Sequence, residues 1–281
     1  MAYATLVPAA ALAEHLSDPD WLVVDCRFEL GDPGAGRRAY RAGHIPGALY
    51  ADLERDLSAP VTVASGRHPL PPVAGLEETF SRFGVTATTQ VIAYDADSGA
   101  YAARLWWILR WLGHDAVAVL DGGLSAWIGE GRAVTTDEPV RAPARFVAHP
   151  RPQMLCTTHE IPRALAGGAV LVDVRGAPRF RGEVEPLDTV AGHVPGAVNL
   201  PYPENLGPDG RFLGPDALAR RFRDGAGIVT GAEAIFMCGS GVTACQGLLA
   251  LETAGIRGAR LYAGSWSEWI RDPARPVARG A

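Results

Sequence analysis

The sequence predicts a tandem pair of α/β domains, each built as three layers around a parallel sheet. Three observations carry this: the chain repeats itself at about half its length, short apolar runs alternate with helix-length segments, and 281 residues are enough for two ordinary domains. LVVDCR at 22–27 is followed by AGHIPGAL at 42–49, and VLVDVR at 170–175 by AGHVPGAV at 191–198. The spacing between the paired motifs is kept to within one residue. The match continues through VIAYD at 91–95 against AIFMC at 234–238, and LDGGLSAW at 120–127 against LYAGSWSEW at 261–269.

Taken in order, the opening segment reads as a strand followed by the helix ALAEHL. LVVDC, VIAY and AVAVL are continuous apolar runs, the pattern of parallel strands buried on both faces, and Tyr101 to Leu112 is helical in length and composition. Residues 131–153 are Pro-rich and without period, which suits a surface linker with the boundary near residue 145. The expected domains are therefore 1–145 and 146–281. In the second half VLVDV and AIFMC repeat the strand pattern. Pro215 after Gly214 marks a helix start, because proline loses nothing at the first helical position. Thr243 stands where it would cap a helix running to about Gly255.

Apolar residues make up 48% and charged residues 20%, values of an ordinary globular chain. The net charge of −5 comes without a basic run, so no nucleic-acid partner is expected. No stretch approaches the roughly 18 apolar residues of a membrane span, and the opening segment lacks a basic n-region, so no membrane association is expected. Cys26, Cys156, Cys238 and Cys245 form neither a CxxC pair nor a zinc-spaced set. These features point to a cytoplasmic protein with no metal and no cofactor.

In open α/β sheets ligands bind beyond the carboxyl ends of the strands. AIFM ends at Cys238, and GSGVT then leads into a helix. Gly239 and Gly241 permit tight curvature, so that backbone amides and a helix start would stabilise a thiolate at Cys238. Cys26, Cys156 and Cys245 read as packing, as do Trp106, Trp107 and Trp111. Asp25 with Arg27, and Asp173 with Arg175, recur in both halves and read as fold-maintaining ion pairs. Tyr101 opens its helix beside the first-half loop.

CGSGVTA, with the repeated VDxR and GHxPGA, resembles the rhodanese superfamily over nearly the whole chain. The resemblance implies a sulfurtransferase made of two rhodanese-like domains, with Cys238 carrying sulfane sulfur as a persulfide. The first domain is noncatalytic, since Asp95 stands at the cysteine position. Gly239, Ser240, Gly241, Val242 and Thr243 form the donor loop. Because Gly239 and Ser240 are neutral where thiosulfate-preferring members carry cations, the implied donor is 3-mercaptopyruvate. Arg179 matches the arginine that holds the donor's anionic end, whereas Leu187 lies near where a second arginine is expected, which leaves either Arg181 as a substitute or a single guanidinium partner for the donor carboxylate. A relay of Ser240, His44 and Asp32 is implied for proton transfer. The repeat of His44 as His193 gives His44 a structural alternative. A thiol, thioredoxin or cyanide is the implied acceptor. The alternatives are a thiosulfate sulfurtransferase and a noncatalytic sulfur-carrier or interaction module. A Cys-x5-Arg phosphatase would need arginine where Ala244 stands.

Overall fold

The computed structural model describes residues 2–280. The chain divides into two compact units: unit 1 comprises the residues up to Ala59 with Leu70–Arg151 and Pro208–Phe212, and unit 2 comprises Pro60–Pro69, Pro152–Gly207 and Leu213 onward. The main crossing thus falls a little beyond the expected residue 145. Two short segments depart from the simple partition, since Pro60–Pro69 belongs to unit 2 and Pro208–Phe212 to unit 1.

Unit 1 runs β1 (Leu6–Val7), α1 (Ala9–Glu14), β2 (Trp21–Asp25), α2 (Ala35–Ala42), β3 (Leu49–Tyr50), α3 (Val73–Arg82), β4 (Gln90–Tyr94), α4 (Ala102–Trp111), β5 (Val117–Leu120) and α5 (Gly123–Gly129). Its five strands lie in the order β1-β5-β4-β2-β3, all parallel, with Val23 opposite Ile92 and Ala93 opposite Val119. One face packs Val23, Ile92, Tyr94 and Ala118 against Leu12, Leu124 and Trp127. The strand residues between them face the opposite layer, to which α4 belongs with buried Leu105, Trp106 and Leu109.

Unit 2 repeats this with β6 (Leu155–Cys156), α6 (Ile161–Ala166), β7 (Val170–Asp173), α7 (Ala177–Phe180), β8 (Val198–Asn199), α8 (Pro215–Ala226), β9 (Ala234–Met237), α9 (Ala244–Thr253), β10 (Arg260–Tyr262) and α10 (Ser265–Trp269). The order β6-β10-β9-β7-β8, again all parallel, is the same topology. Pro215 opens α8 as its composition predicts.

The repeated motifs do structural work. Arg27 Nη2 donates to Asp25 Oδ2 at 2.6 Å and to the Gly43 carbonyl at 2.7 Å, and Arg175 Nη2 does the same to Asp173 (2.7 Å) and Gly192 (2.8 Å). Each arginine ties a strand end to its GHxPGA turn, and each buried carboxylate gains a partner it could not be buried without. The segment 131–153 is more ordered than a linker needs to be. Ala144 donates to Ser81 O, His149 to Leu112 O and Arg151 to Trp111 O, while Phe146 is buried.

Candidate active site

The apolar strand β9 carries the chain to its carboxyl end and delivers Cys238, whose side chain is buried. The Gly241 N–H points back to Cys238 Sγ at 3.1 Å, closing a tight loop around the sulfur. Gly241 has φ +77°, and a Cβ there would lie 2.2 Å from the Ala263 carbonyl, so the turn admits glycine alone. The loop is pinned from the other side by α10. Trp266 and Ser267 donate their N–H groups to the carbonyls of Cys238 (3.0 Å) and Gly239 (2.9 Å). Ser265 Oγ accepts the Cys238 N–H at 3.1 Å and donates to Tyr262 O. Ser265 does this at φ 53°, the left-handed region, and is the positive-φ non-glycine among the described residues.

Val242 is buried in the same loop. Thr243 occupies the residue before α9, but it is already helical and its side chain makes no capping hydrogen bond, so the expected hydroxyl cap is not formed. Cys245 donates its thiol to the Gly241 carbonyl at 3.4 Å. Burial pushes the Cys26 thiol well up and the Cys156 thiol up, as expected of packing residues.

Ser240 finds a different partner from the one expected. Its Oγ lies 2.8 Å from Nδ1 of His68, both side chains being buried. His68 arrives on Pro60–Pro69, which docks on α10: the Arg67 N–H donates to Ser267 Oγ at 2.9 Å, and a Cβ on Gly66 would meet the Gly264 carbonyl at 2.6 Å. His44 belongs to unit 1, where Nδ1 lies 2.7 Å from Tyr40 O, Nε2 lies 3.2 Å from Asp137 O, and the ring stacks on Tyr40. His193 repeats the arrangement, with Nδ1 2.8 Å from Phe180 O and a stacked Phe180 ring. The histidine of GHxPGA therefore clamps a turn in each unit, and Ser240 pairs with His68 rather than with the expected His44. Asp32, the expected third member, has a partner of its own. It is an exposed unit 1 residue paired with Arg38, and that hydrogen bond holds its carboxyl below the usual carboxylate range.

Arg179, at the end of α7, turns its guanidinium to Glu185 (Nη2 to Oε1, 2.7 Å) and Asp188 (Nη2 to Oδ2, 3.2 Å). Burial acts to raise the Glu185 carboxyl, but Arg179 and the Leu187 and Asp188 amides over-ride it and leave it below its ordinary value. Arg67 joins the cluster, with Nη1 donating to Asp188 Oδ1 at 2.6 Å. A Cβ on Gly239 would sit 3.1 Å from Arg67 Nη2 and 3.6 Å from either Nη of Arg179, so both guanidiniums border the residue after the cysteine. Arg181 pairs instead with Glu183 in solvent. A pocket of about 390 Å³ opens here, lined by Arg67, Leu187, Asp188, Ser267, Ile270 and Arg271 among others. No cluster suited to a metal ion occurs among the described residues.

In unit 1 the matching loop follows β4, and Asp95 fills the cradle itself. Its carboxylate accepts N–H bonds from Gly99 (2.9 Å), Tyr101 (2.8 Å) and Ala102 (3.1 Å). A side chain that occupies the amides leaves no nucleophile there.

The rhodanese-like domain family matches residues 8–130 and 157–272. A Pseudomonas aeruginosa protein named "Probable 3-mercaptopyruvate sulfurtransferase" is 51% identical over 286 residues, covering 100% of this chain and 100% of its own. A thiosulfate sulfurtransferase of Mus musculus is 33% identical over 99% of this chain and 96% of its own. Among solved structures, SseA from Escherichia coli, described as a 3-mercaptopyruvate sulfotransferase, superposes with a TM-score of 0.79 at 32% identity, covering 95% of this chain and 100% of that one. With both units matched and relatives of full length, the chain belongs to the rhodanese-like family.

Proposed function

We propose that the protein is a sulfurtransferase in which Cys238 takes sulfane sulfur from 3-mercaptopyruvate and passes it to a thiophilic acceptor, a small thiol, thioredoxin or cyanide. The observation that carries this is the buried Cys238 sulfur held by the Gly241 amide, with His68 paired to Ser240 of the same loop and two guanidiniums bordering its Gly239. In the forward step the Cys238 thiolate attacks the donor sulfur and forms an S–S bond. The donor C–S bond breaks with its electron pair going to carbon, giving the enolate of pyruvate. The donor's thiol proton then goes to that carbon, yielding pyruvate and the Cys238 persulfide. Ser240 and His68 form the hydrogen-bonded pair suited to moving this proton.

Charge supports mercaptopyruvate over thiosulfate. Arg67 and Arg179 are offset by Glu185 and Asp188, which leaves Arg271 as the additional cation on the pocket wall. One donor carboxylate neutralises that surplus, whereas a dianion exceeds it. All four cysteines are free thiols, which supports a reducing, cytoplasmic setting. No helix among the described residues is long and apolar enough to cross a membrane. Steady-state kinetics with both donors on one preparation test the donor assignment: kcat/KM should be higher for mercaptopyruvate, and a preference for thiosulfate would assign the other donor while leaving Cys238 as sulfur carrier.

A further inference from the structure

We propose that Arg67 is the second guanidinium of the donor site, and that Asp188 is a resident carboxylate which the donor's own carboxylate displaces from between Arg67 and Arg179. The inference rests on the donor reading above and adds to it the residue that fixes the donor's anionic end and the group that competes for it.

Four observations converge. Asp188 gives one oxygen to each arginine, Oδ1 to Arg67 at 2.6 Å and Oδ2 to Arg179 at 3.2 Å. A single carboxylate spanning two guanidiniums is the arrangement that a carboxylate donor would itself make. Second, both guanidiniums border Gly239, the residue next to the reactive sulfur, where the absence of a side chain leaves them room. Third, Arg67 lines the pocket, and its Nε is buried behind that wall without a hydrogen-bond partner. Fourth, Arg67 is fixed at its backbone by Ser267, whose own N–H holds the Gly239 carbonyl, so the guanidinium is registered to the cysteine loop rather than carried on a free surface.

The two acids have different standing. Glu185 is held by Arg179 and by the Leu187 and Asp188 amides, and it also lies 3.4 Å from Arg175, so it is built into the wall. Asp188 bonds to the two donor-site arginines through its side chain, and both of those bonds are ones a donor carboxylate replaces without loss of charge pairing.

The experiment measures kcat and KM for mercaptopyruvate and thiosulfate in the full-length wild type, Arg67→Ala, Arg67→Lys and Asp188→Asn, with sulfur loading of Cys238 followed by mass spectrometry at saturating donor. Loss of one charge-assisted contact should raise the mercaptopyruvate KM of Arg67→Ala roughly ten- to hundredfold while loading at saturation still reaches completion, and Arg67→Lys should recover part of the loss. Asp188→Asn removes the competing charge, so its mercaptopyruvate KM should fall and its thiosulfate kcat/KM should rise. An unchanged KM in Arg67→Ala, or a raised KM in Asp188→Asn, overturns the proposal even though wild type loads sulfur. A wild type that loads no sulfur from either donor overturns the underlying reading and this proposal with it.

Discussion

At the scale of the residue, the decisive correction concerns two histidines. His44 sits in a motif that occurs twice, and the repetition itself shows what it does: His44 and His193 both clamp a turn to a carbonyl and stack on an aromatic ring. His68 has no histidine counterpart. Gly66-Arg67-His68 precedes α3 as Gly210-Arg211-Phe212 precedes α8, so the second copy carries phenylalanine at that place. The two copies differ at this position, and that asymmetry is the signal in the sequence for the partner of Ser240. His68→Ala should lower kcat by about 10²-fold or more, the usual contribution of a positioned acid–base group. His44→Ala should instead cost about 0.5–3 kcal/mol of stability through loss of the buried ring, its stacking on Tyr40 and its hydrogen bond to the Tyr40 carbonyl, and leave kcat of the folded fraction near wild type. Denaturant melts alongside kinetics separate the two, and equal kcat losses would return His44 to the reaction.

At the scale of the element, both units use one device, a strand end followed by a loop pinned by the helix after the next strand. Leu124 and Ser125 donate to the carbonyls of Asp95 and Ala96 just as Trp266 and Ser267 donate to those of Cys238 and Gly239. At the left-handed position before these donors, unit 1 has Gly123 at φ 56° and unit 2 has Ser265 at φ 53°. The apolar strand runs made β4 and β9 legible, and glycine spacing marked the Cys238 turn. The partner of that turn was not legible, because α10 reaches it largely through the Trp266 and Ser267 backbone N–H groups, which leave no trace in residue type, and its side-chain contact comes from a serine, a residue type common in any turn. Asp95 shows the cost of filling a cradle with a carboxylate. Burial raises its pKa, against the opposing effect of the Tyr101, Ala102 and Gly99 amides. A folded-state value above the unfolded one means that stability falls as pH rises from the unfolded value through the folded one. Asp95→Asn removes that dependence, so denaturant melts across this window should show the variant gaining on wild type as pH rises, with Cys238 still loading sulfur. A constant difference would mean that Asp95 titrates alike in both states.

At the scale of the whole molecule, the sequence repeat announced the duplicated fold, and the two sheets share one strand order. It did not announce that each unit takes in a short segment from the other half, because Pro60–Pro69 and Pro208–Phe212 are polar, Pro- and Gly-bearing stretches whose destination is set by tertiary docking rather than by local pattern. That exchange brings Arg67 and His68 to a loop encoded far away in the chain, and local pattern gave no sign of it when His44 and Asp32 were the expected first-half partners of Ser240. The central claim is that this assembly loads sulfur onto one cysteine. It is tested most directly by incubating the full-length protein with mercaptopyruvate, omitting acceptor, and mapping the product by peptide mass spectrometry. The account predicts one added sulfur atom, located on Cys238, discharged by added thiol and absent from Cys238→Ser. Sulfur found on Cys26, Cys156 or Cys245 instead, or turnover by Cys238→Ser at the wild-type rate, would contradict it.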